Sequence, residues 1–387
     1  MNDTIYLDNS ATTQPSEASL QKMGEALCVC YANPGSVHAA GLRASELVEE
    51  ARGQVAASLG VRRMTEGKVV FTSGGTEANN LAIFGTVFAK ERPSKGKILI
   101  TDGEHPSVEA AAAHLEAKGF RVCRIPTVGG VLDLDMLEAE ADGEVVLTAM
   151  MLVNNETGAL YPIRQAVELL RQKSPGAVIH CDAVQGYQRI PLTAPALGVD
   201  TLSVSAHKIH APKGAGALYV SEEMLRRRRI APIFYGGGQE SGLRSGTENV
   251  PAIAAFGAAA AEGAATAESR RAQTARLRAH LLERLPAAVQ VNTPAAYVDA
   301  IVSLTLPNIK SEVMLRALSA RGICVSAGSA CAAKSGKVSR TLLAYGLTQR
   351  QADCTLRVSL SHCNTEAEME RFSAALEEEM RRLARLR

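Results

Sequence analysis

Leu20, Met23 and Leu27 recur at helical spacing, and Ala44, Leu47, Val48, Ala51, Val55 and Leu59 repeat at i+3/i+4 until Gly60. This pattern predicts helix from Pro15 to about Gly60. Beyond it, short β-rich runs alternate with helical windows. The runs are Val69–Thr72, Lys97–Thr101, Arg121–Ile125, Val145–Val153, Ala177–Asp182, Thr201–Ser205 and Gly216–Val220; helix-like windows include Thr76–Ala89, Val108–Lys118 and Ile163–Gln172. Nearly continuous apolar strands alternating with helices predict an α/β fold, a mostly parallel sheet covered on both faces.

The periodicity changes after about Ala260. An Arg-rich helical window, Ala267–Leu285, precedes strand-like runs at Ala300–Leu306, Gly322–Ser326 and Thr355–Ser361. Thr365 and Glu368 then have the spacing of a capping box, with Met369, Phe372, Leu376, Met380 and Leu383 as the apolar stripe of a closing helix. This reads as a second, smaller α/β domain, which suits a chain of 387 residues.

Composition narrows the function classes. Hydrophobic residues are 46% and charged residues 21%, with a net charge of +2, so nothing calls for nucleic acid or an anionic membrane. The run Arg226–Arg229 reads as a solvated helix end as readily as a patch. The stretch Val250–Ala261 is too short to span a bilayer. The eight cysteines form no CxxC pair and resemble neither a zinc site nor a disulfide framework. With no secretory signal at Met1–Thr4, a reducing cytoplasm is expected, with most thiols packed as small core residues.

Common nucleotide and hydrolase motifs are missing: no G-x-x-x-x-G-K-[ST], G-x-S-x-G or H-E-x-x-H, and Gly214-Ala215-Gly216 lacks the rest of a dinucleotide fingerprint. Four segments carry positive signals. Phe71–Asn80 is a strand, a glycine turn and a helix start, where Gly75 and Thr76 suit an anion; a plain strand–helix turn has the same pattern. Asp182, in His180–Gln185, closes an apolar strand, where it suits a pyridine nitrogen or an ordinary helix N-cap. Lys208, in Ser203–Gly214, ends the next strand, where desolvation disfavours an ammonium and suits a Schiff base on pyridoxal phosphate. Ser205 and His207 flank it as phosphate donors, whereas Lys213 reads as a snorkelling lysine. Cys331 follows a small-residue turn, Val325–Ala330, and leads into the polar stretch Ala332–Ser339. That context favours an exposed, reactive thiol over a packing residue, though spacing leaves both open.

Together these segments resemble the cysteine desulfurases of the NifS/IscS type, pyridoxal-phosphate enzymes of fold type I in the class-V aminotransferase family. The resemblance runs through Tyr6–Thr13, Asn33–His38, Ser73–Asn80, Glu104-His105, Val153–Gly158, Asp182–Gln185, Ser205–Lys208, Gly236–Glu240, Leu243–Asn249, Ala327–Cys331 and Leu356–Ser359. It implies a large cofactor-binding domain at 16–263, built on a mostly parallel seven-stranded sheet, and a small domain of 1–15 with 264–387. It implies pyridoxal 5'-phosphate as cofactor, linked to Lys208, with Asp182 at the pyridinium nitrogen and Gln185 at the ring hydroxyl. Asn155 is expected beside the cofactor and substrate, and His105 on the ring and in acid–base steps. Gly75, Thr76, Ser205 and His207 would hold the phosphate, joined by Thr247 from the other subunit of a homodimer. Arg357 would grip the carboxylate of the substrate L-cysteine through two parallel N–H bonds.

The implied reaction yields L-alanine and a persulfide on Cys331, for which a thiolate and a mobile loop are needed. No resident metal is expected, although Cys331 is in the position to share a transient iron–sulfur cluster. A sulfur-acceptor protein such as an iron–sulfur scaffold is the implied partner. Two departures bear on that partner: Lys334–Ser339 lacks the Leu-Glu-Pro-Ser of many long-loop relatives, and Ala39-Ala40 replace bulkier or charged residues. Rival readings are a selenocysteine lyase or class-V aminotransferase on the same fold, and a non-catalytic assembly protein.

Overall fold

The computed structural model describes residues 4–89, 96–328 and 338–385. The chain opens on β1 (Ile5–Tyr6) and two helices, Glu17–Cys28 and Ala39–Ser58. The single helical stretch expected from Pro15 to Gly60 is therefore broken. Asn33-Pro34-Gly35 interrupts it, and the imidazole of His38 caps the second helix by accepting from Gly41 N–H at 3.1 Å.

Seven strands follow: β2 (Lys68–Thr72), β3 (Lys97–Thr101), β4 (Arg121–Ile125), β5 (Val145–Met151), β6 (Val178–Asp182), β7 (Thr201–Ser205) and β8 (Gly216–Val220). They form one sheet in the order β2-β8-β7-β6-β5-β3-β4. Only β8 runs opposite to its neighbours; the remaining pairs are parallel. Alternate residues feed two cores, one on each face: Val69, Phe71 and Leu99 enter one, Val70, Ile98 and Ile100 the other. Strands buried on both faces must be apolar throughout, which is why their runs are legible. β4 is the exception, an edge strand partly exposed and carrying Arg121 and Arg124.

The helix Val250–Ala265 is mostly buried, packed against the two N-terminal helices. Among the described residues no single helix is long and apolar enough to cross a membrane. A second sheet has β10 (Ile301–Thr305) between β9 (Gln290–Asn292) and β12 (Thr355–Ser359), all antiparallel. Its own core gathers Leu277, Leu304, Met314, Leu356, Phe372 and Leu376 from the sheet and the helices Ala267–Arg284, Ser311–Ser319 and Glu366–Ala384. The capping box of Thr365 and Glu368 is present.

The N-terminal segment joins the two sheets. β1 pairs with β11 (Ile323–Cys324), and Asn9 N–H donates to Ser359 on the small sheet. Thr13 N–H and Ser16 N–H then donate to the carbonyls of His207 and His210 beyond β7. This crossing carries Ser10 and Ala11 over the end of the large sheet.

Candidate active site

In an open parallel sheet the carboxyl ends of the strands leave a crevice that the following loops line. A cavity of about 270 Å³ lies there. The turn after β2 brings Gly75 and Thr76, the loop after β3 His105, and the loop after β5 Asn155. From β6 come Asp182 and Gln185, and from the end of β7 Ser205, His207 and Lys208, while Arg357 enters from β12 of the small sheet. Ten residues nominated from sequence, Ser205 and His207 included, thus meet in one place. Thr247 is exposed and does not line this cavity. Cys331 lies outside the described residues.

Lys208 sits in a short 3-10 turn, Ala206–Lys208, rather than on β7 itself. Its Nζ donates to the carbonyls of Ser10 at 2.5 Å and Ala11 at 2.8 Å. Burial first, then the positive charges of Arg357 and Arg189, push its pKa down to about 7. The amine is therefore partly neutral under ordinary conditions, as a nucleophile must be.

Asp182 accepts from Asn79 Nδ2 at 2.7 Å and from Val184 N–H at 3.0 Å. It caps the following turn and also lines the cavity, so the capping contact leaves the carboxylate beside the crevice. His105 caps the helix Pro106–Ala117, its Nδ1 accepting from Ser107 N–H at 3.2 Å. Burial lowers its pKa. A neutral ring that accepts at Nδ1 carries its proton on Nε2.

Two buried donors of residues that line the cavity, Ser205 Oγ and Arg357 Nε, have no protein partner among the described residues. Arg357 donates through Nη1 to the Asn155 carbonyl and through Nη2 to Asp8 Oδ1, each at 2.8 Å, which uses two of its other four N–H groups. Such groups are costly unless something else satisfies them. The helix Gly75–Phe88 begins without any side-chain cap, so its first N–H groups are free for an anion. A Cβ on Gly75 would lie 2.8 Å from Val184 and toward Ser205, filling that space. A phosphate fits this corner.

Several contributors were not assigned a role from sequence. Asn79 links the site, donating to Ser107 Oγ at 2.8 Å as well as to Asp182, and its Oδ1 lies 3.0 Å from His180 Nε2. His180 in turn meets Thr201 Oγ1 through Nδ1 at 2.9 Å. Ser107 lies 2.8 Å from His105 Nδ1, so one chain of hydrogen bonds ties Asp182 to His105. The signal was present: His180 and Asp182 share a face of β6 by period two, and Asn79 lies one turn after Gly75 and Thr76. Arg189 left no such signal. It is half-buried, donates to Gln185 Oε1, Ser10 Oγ and the Asn9 carbonyl, and has its pKa pushed down to about 10 by desolvation.

Glu104, beside His105, is buried with its pKa raised to about 8 by desolvation. It accepts from Thr101 Oγ1 and Met151 N–H, both at 2.7 Å, and so braces the ends of β3 and β5. The expectation that most thiols are core residues needs correction. Among the described residues only Cys30, Cys181 and Cys354 are buried, and Cys28 and Cys363 are exposed. The Arg226–Arg229 run is the solvated helix end, with Arg226 and Arg227 paired to Glu222 and Glu223.

Residues 5–372 match the family described as Aminotransferase class-V. A cysteine desulfurase of Trichormus azollae is 40% identical, the match covering 99% of this chain and 94% of the relative. The cysteine desulfurase IscS 1 of Archaeoglobus fulgidus is 34% identical, over 96% and 95%. A solved NifS-like protein superposes with a TM-score of 0.90 at 33% identity, covering 97% of this chain and 99% of its own.

Proposed function

Because the chain belongs to the class-V aminotransferases, and within them to the cysteine desulfurases, we propose that it converts L-cysteine to L-alanine and takes the sulfur onto Cys331 as a persulfide. One observation carries the reading at the cavity. A lysine with a lowered pKa shares a crevice with an aspartate, a neutral histidine and an arginine that keeps a buried donor unpaired.

Pyridoxal 5'-phosphate suits this cavity, where it would supply an electron sink that eases loss of the substrate's Cα proton. Lys208 is the residue to hold it. Asp182 would keep its ring nitrogen protonated, Gln185 and Asn155 would hydrogen-bond its polar groups, and His105 would pack beside it. The phosphate belongs to the free N–H groups at Gly75, the hydroxyls of Thr76 and Ser205, and His207, with Thr247 of a second copy completing the cradle. The assignment of 16–263 to a large unit, and of 1–15 with 264–387 to a small one, is part of the same proposal. Arg357, from the small unit, orients the substrate carboxylate.

Lys208 Nζ would serve as the base for the Cα proton, and His105 Nε2–H as the donor for the later step. The Cys331 thiolate attacks the substrate sulfur. The C–S bond breaks with its electron pair left on carbon, a proton completes the methyl group of alanine, and the enzyme keeps an S–S–H group. Iron–sulfur cluster or thio-cofactor assembly, through an acceptor protein, is the proposed destination.

Peptide mapping after borohydride reduction of the cofactor-loaded protein tests the site. The reduced adduct is expected on the peptide containing Lys208; an adduct on any other lysine contradicts the assignment. An aminotransferase on this fold needs no nucleophilic thiol, so retention of cysteine-to-alanine conversion in Cys331→Ala would favour that rival.

A further inference from the structure

Behind Lys208 lies a second cavity, of about 190 Å³, which it lines together with His210 and His362. His210, His362 and Cys363 bring two ring nitrogens and a thiol within 4.8 Å of one another. Cys363 Sγ is already 3.4 Å from His362 Nε2, and the two rings meet edge to face at 4.7 Å. In a tetrahedral zinc site nitrogen and sulfur ligands are separated by about 3.3–3.6 Å.

His210 is held as a ligand would be. Its Nδ1 faces the Gln14 carbonyl at 2.9 Å, which fixes the proton there and leaves the Nε2 lone pair free. That outer hydrogen bond to a carbonyl is the usual way a protein orients a metal-binding histidine. Nε2 meets only Ser361 Oγ, at 3.2 Å, a hydroxyl that can turn away. The backbone of His210 is in the left-handed region, φ 69°, and is pinned by Thr13 Oγ1 and by Ser16 N–H. Burial lowers the pKa of both histidines, which keeps them neutral. Arg270 stands nearby, but Glu262 pairs with it at 2.9 Å.

We propose that His210, His362 and Cys363 form a binding site for one zinc-like divalent cation, with its fourth position open to the cavity. The thiol gives up its proton on binding and supplies the compensating negative charge. The ion would clamp the loop that follows Lys208 on the large sheet to the segment that follows β12, the strand of Arg357. The inference does not depend on which reaction the first cavity performs.

The test is calorimetric titration of the chelator-treated, cofactor-loaded protein with Zn2+, repeated for His362→Ala and Cys363→Ser. The expected result is one equivalent per chain in the parent that is weakened at least about tenfold, or lost, in both variants. Cys28→Ser, which removes another exposed thiol, should leave binding unchanged. Co2+ in place of Zn2+ should give tetrahedral d–d absorption that disappears with Cys363→Ser. No bound ion in the parent, or equal stoichiometry and affinity in parent and both ligand variants, overturns the site.

Discussion

Lys208 and Arg357 line one cavity, and the proposed reaction asks opposite things of them: the amine must lose its proton to react, while the guanidinium must bind a carboxylate. Desolvation disfavours the ammonium form of a buried lysine, and a planar guanidinium is the side chain suited to pairing with a carboxylate. With a pKa near 7, the neutral amine rises from roughly a tenth of molecules at pH 6 to about nine-tenths at pH 8. Stopped-flow absorbance of the cofactor-free protein mixed with pyridoxal phosphate should therefore show imine formation accelerating through that window and levelling above it. A rate still climbing steeply toward pH 10 would mean an ordinary lysine. The same depression has a stability consequence. Between the folded pKa of about 7 and the unfolded value of about 10.4 the unfolded chain binds more protons, so the Lys208 contribution favours folding increasingly as pH rises. Arg357 offers a different test. Lysine cannot reproduce a planar pair of N–H bonds, and charged hydrogen bonds contribute about 1.5–3 kcal/mol. Arg357→Lys should lower kcat/KM for cysteine about 10- to 100-fold, mainly through KM, in steady-state assays of alanine release.

At the scale of elements, the strands and the glycine turn were legible because their physics is local. β3, β7 and β8 fall on the residues expected from strand-like runs, since doubly buried strands carry few charged groups, and β4 falls on its expected residues although it is a partly exposed edge strand. The reversed direction of β8 left no local trace, because direction is set by pairing and not by composition. β1 and β9 are too short, two and three residues, to show a period. Tertiary ion pairs were equally hidden. Arg52, in the second helix, grips Glu240 with two bonds of 2.7 and 2.9 Å, and Glu240 also accepts from Phe71 N–H at 2.9 Å. This joins helix, β2 and the loop that carries Thr247 across 188 positions of sequence. Removing one charge of a buried pair typically costs about 3–5 kcal/mol. Glu240→Gln should lower the unfolding free energy by about that amount, read from the denaturant midpoint at unchanged m-value. A change below about 1 kcal/mol would show that the pair is replaceable by neutral hydrogen bonds.

Across the whole molecule, the N-terminal segment and Arg357 bring the small sheet to the cavity of the large one. Most of the candidate site could be read from motifs because each motif except that of Arg357 follows a strand of the large sheet, and the sheet gathers those ends. The hydrogen-bond chain through Asn79, Ser107 and His180 left only the local spacing of His180 to Asp182 and of Asn79 to Gly75, since its members become neighbours only when β6 and the helix Gly75–Phe88 have packed. Thr247 belongs to this scale too: it is exposed in its own chain, and its proposed place is in the cavity of a second copy. Sedimentation should give twice the chain mass of 40.9 kDa. Thr247→Ala should speed loss of pyridoxal phosphate on dialysis about fivefold, the worth of one hydrogen bond, whereas unchanged retention would remove Thr247 from the cradle. The proposed sulfur transfer is tested most directly by incubating the cofactor-loaded protein with L-cysteine, without added reductant, and mapping its peptides by mass spectrometry. One additional sulfur atom should appear on the peptide containing Cys331, with a matching amount of alanine in solution. Alanine formed while that peptide stays unmodified, or sulfur found on a different cysteine, would contradict it.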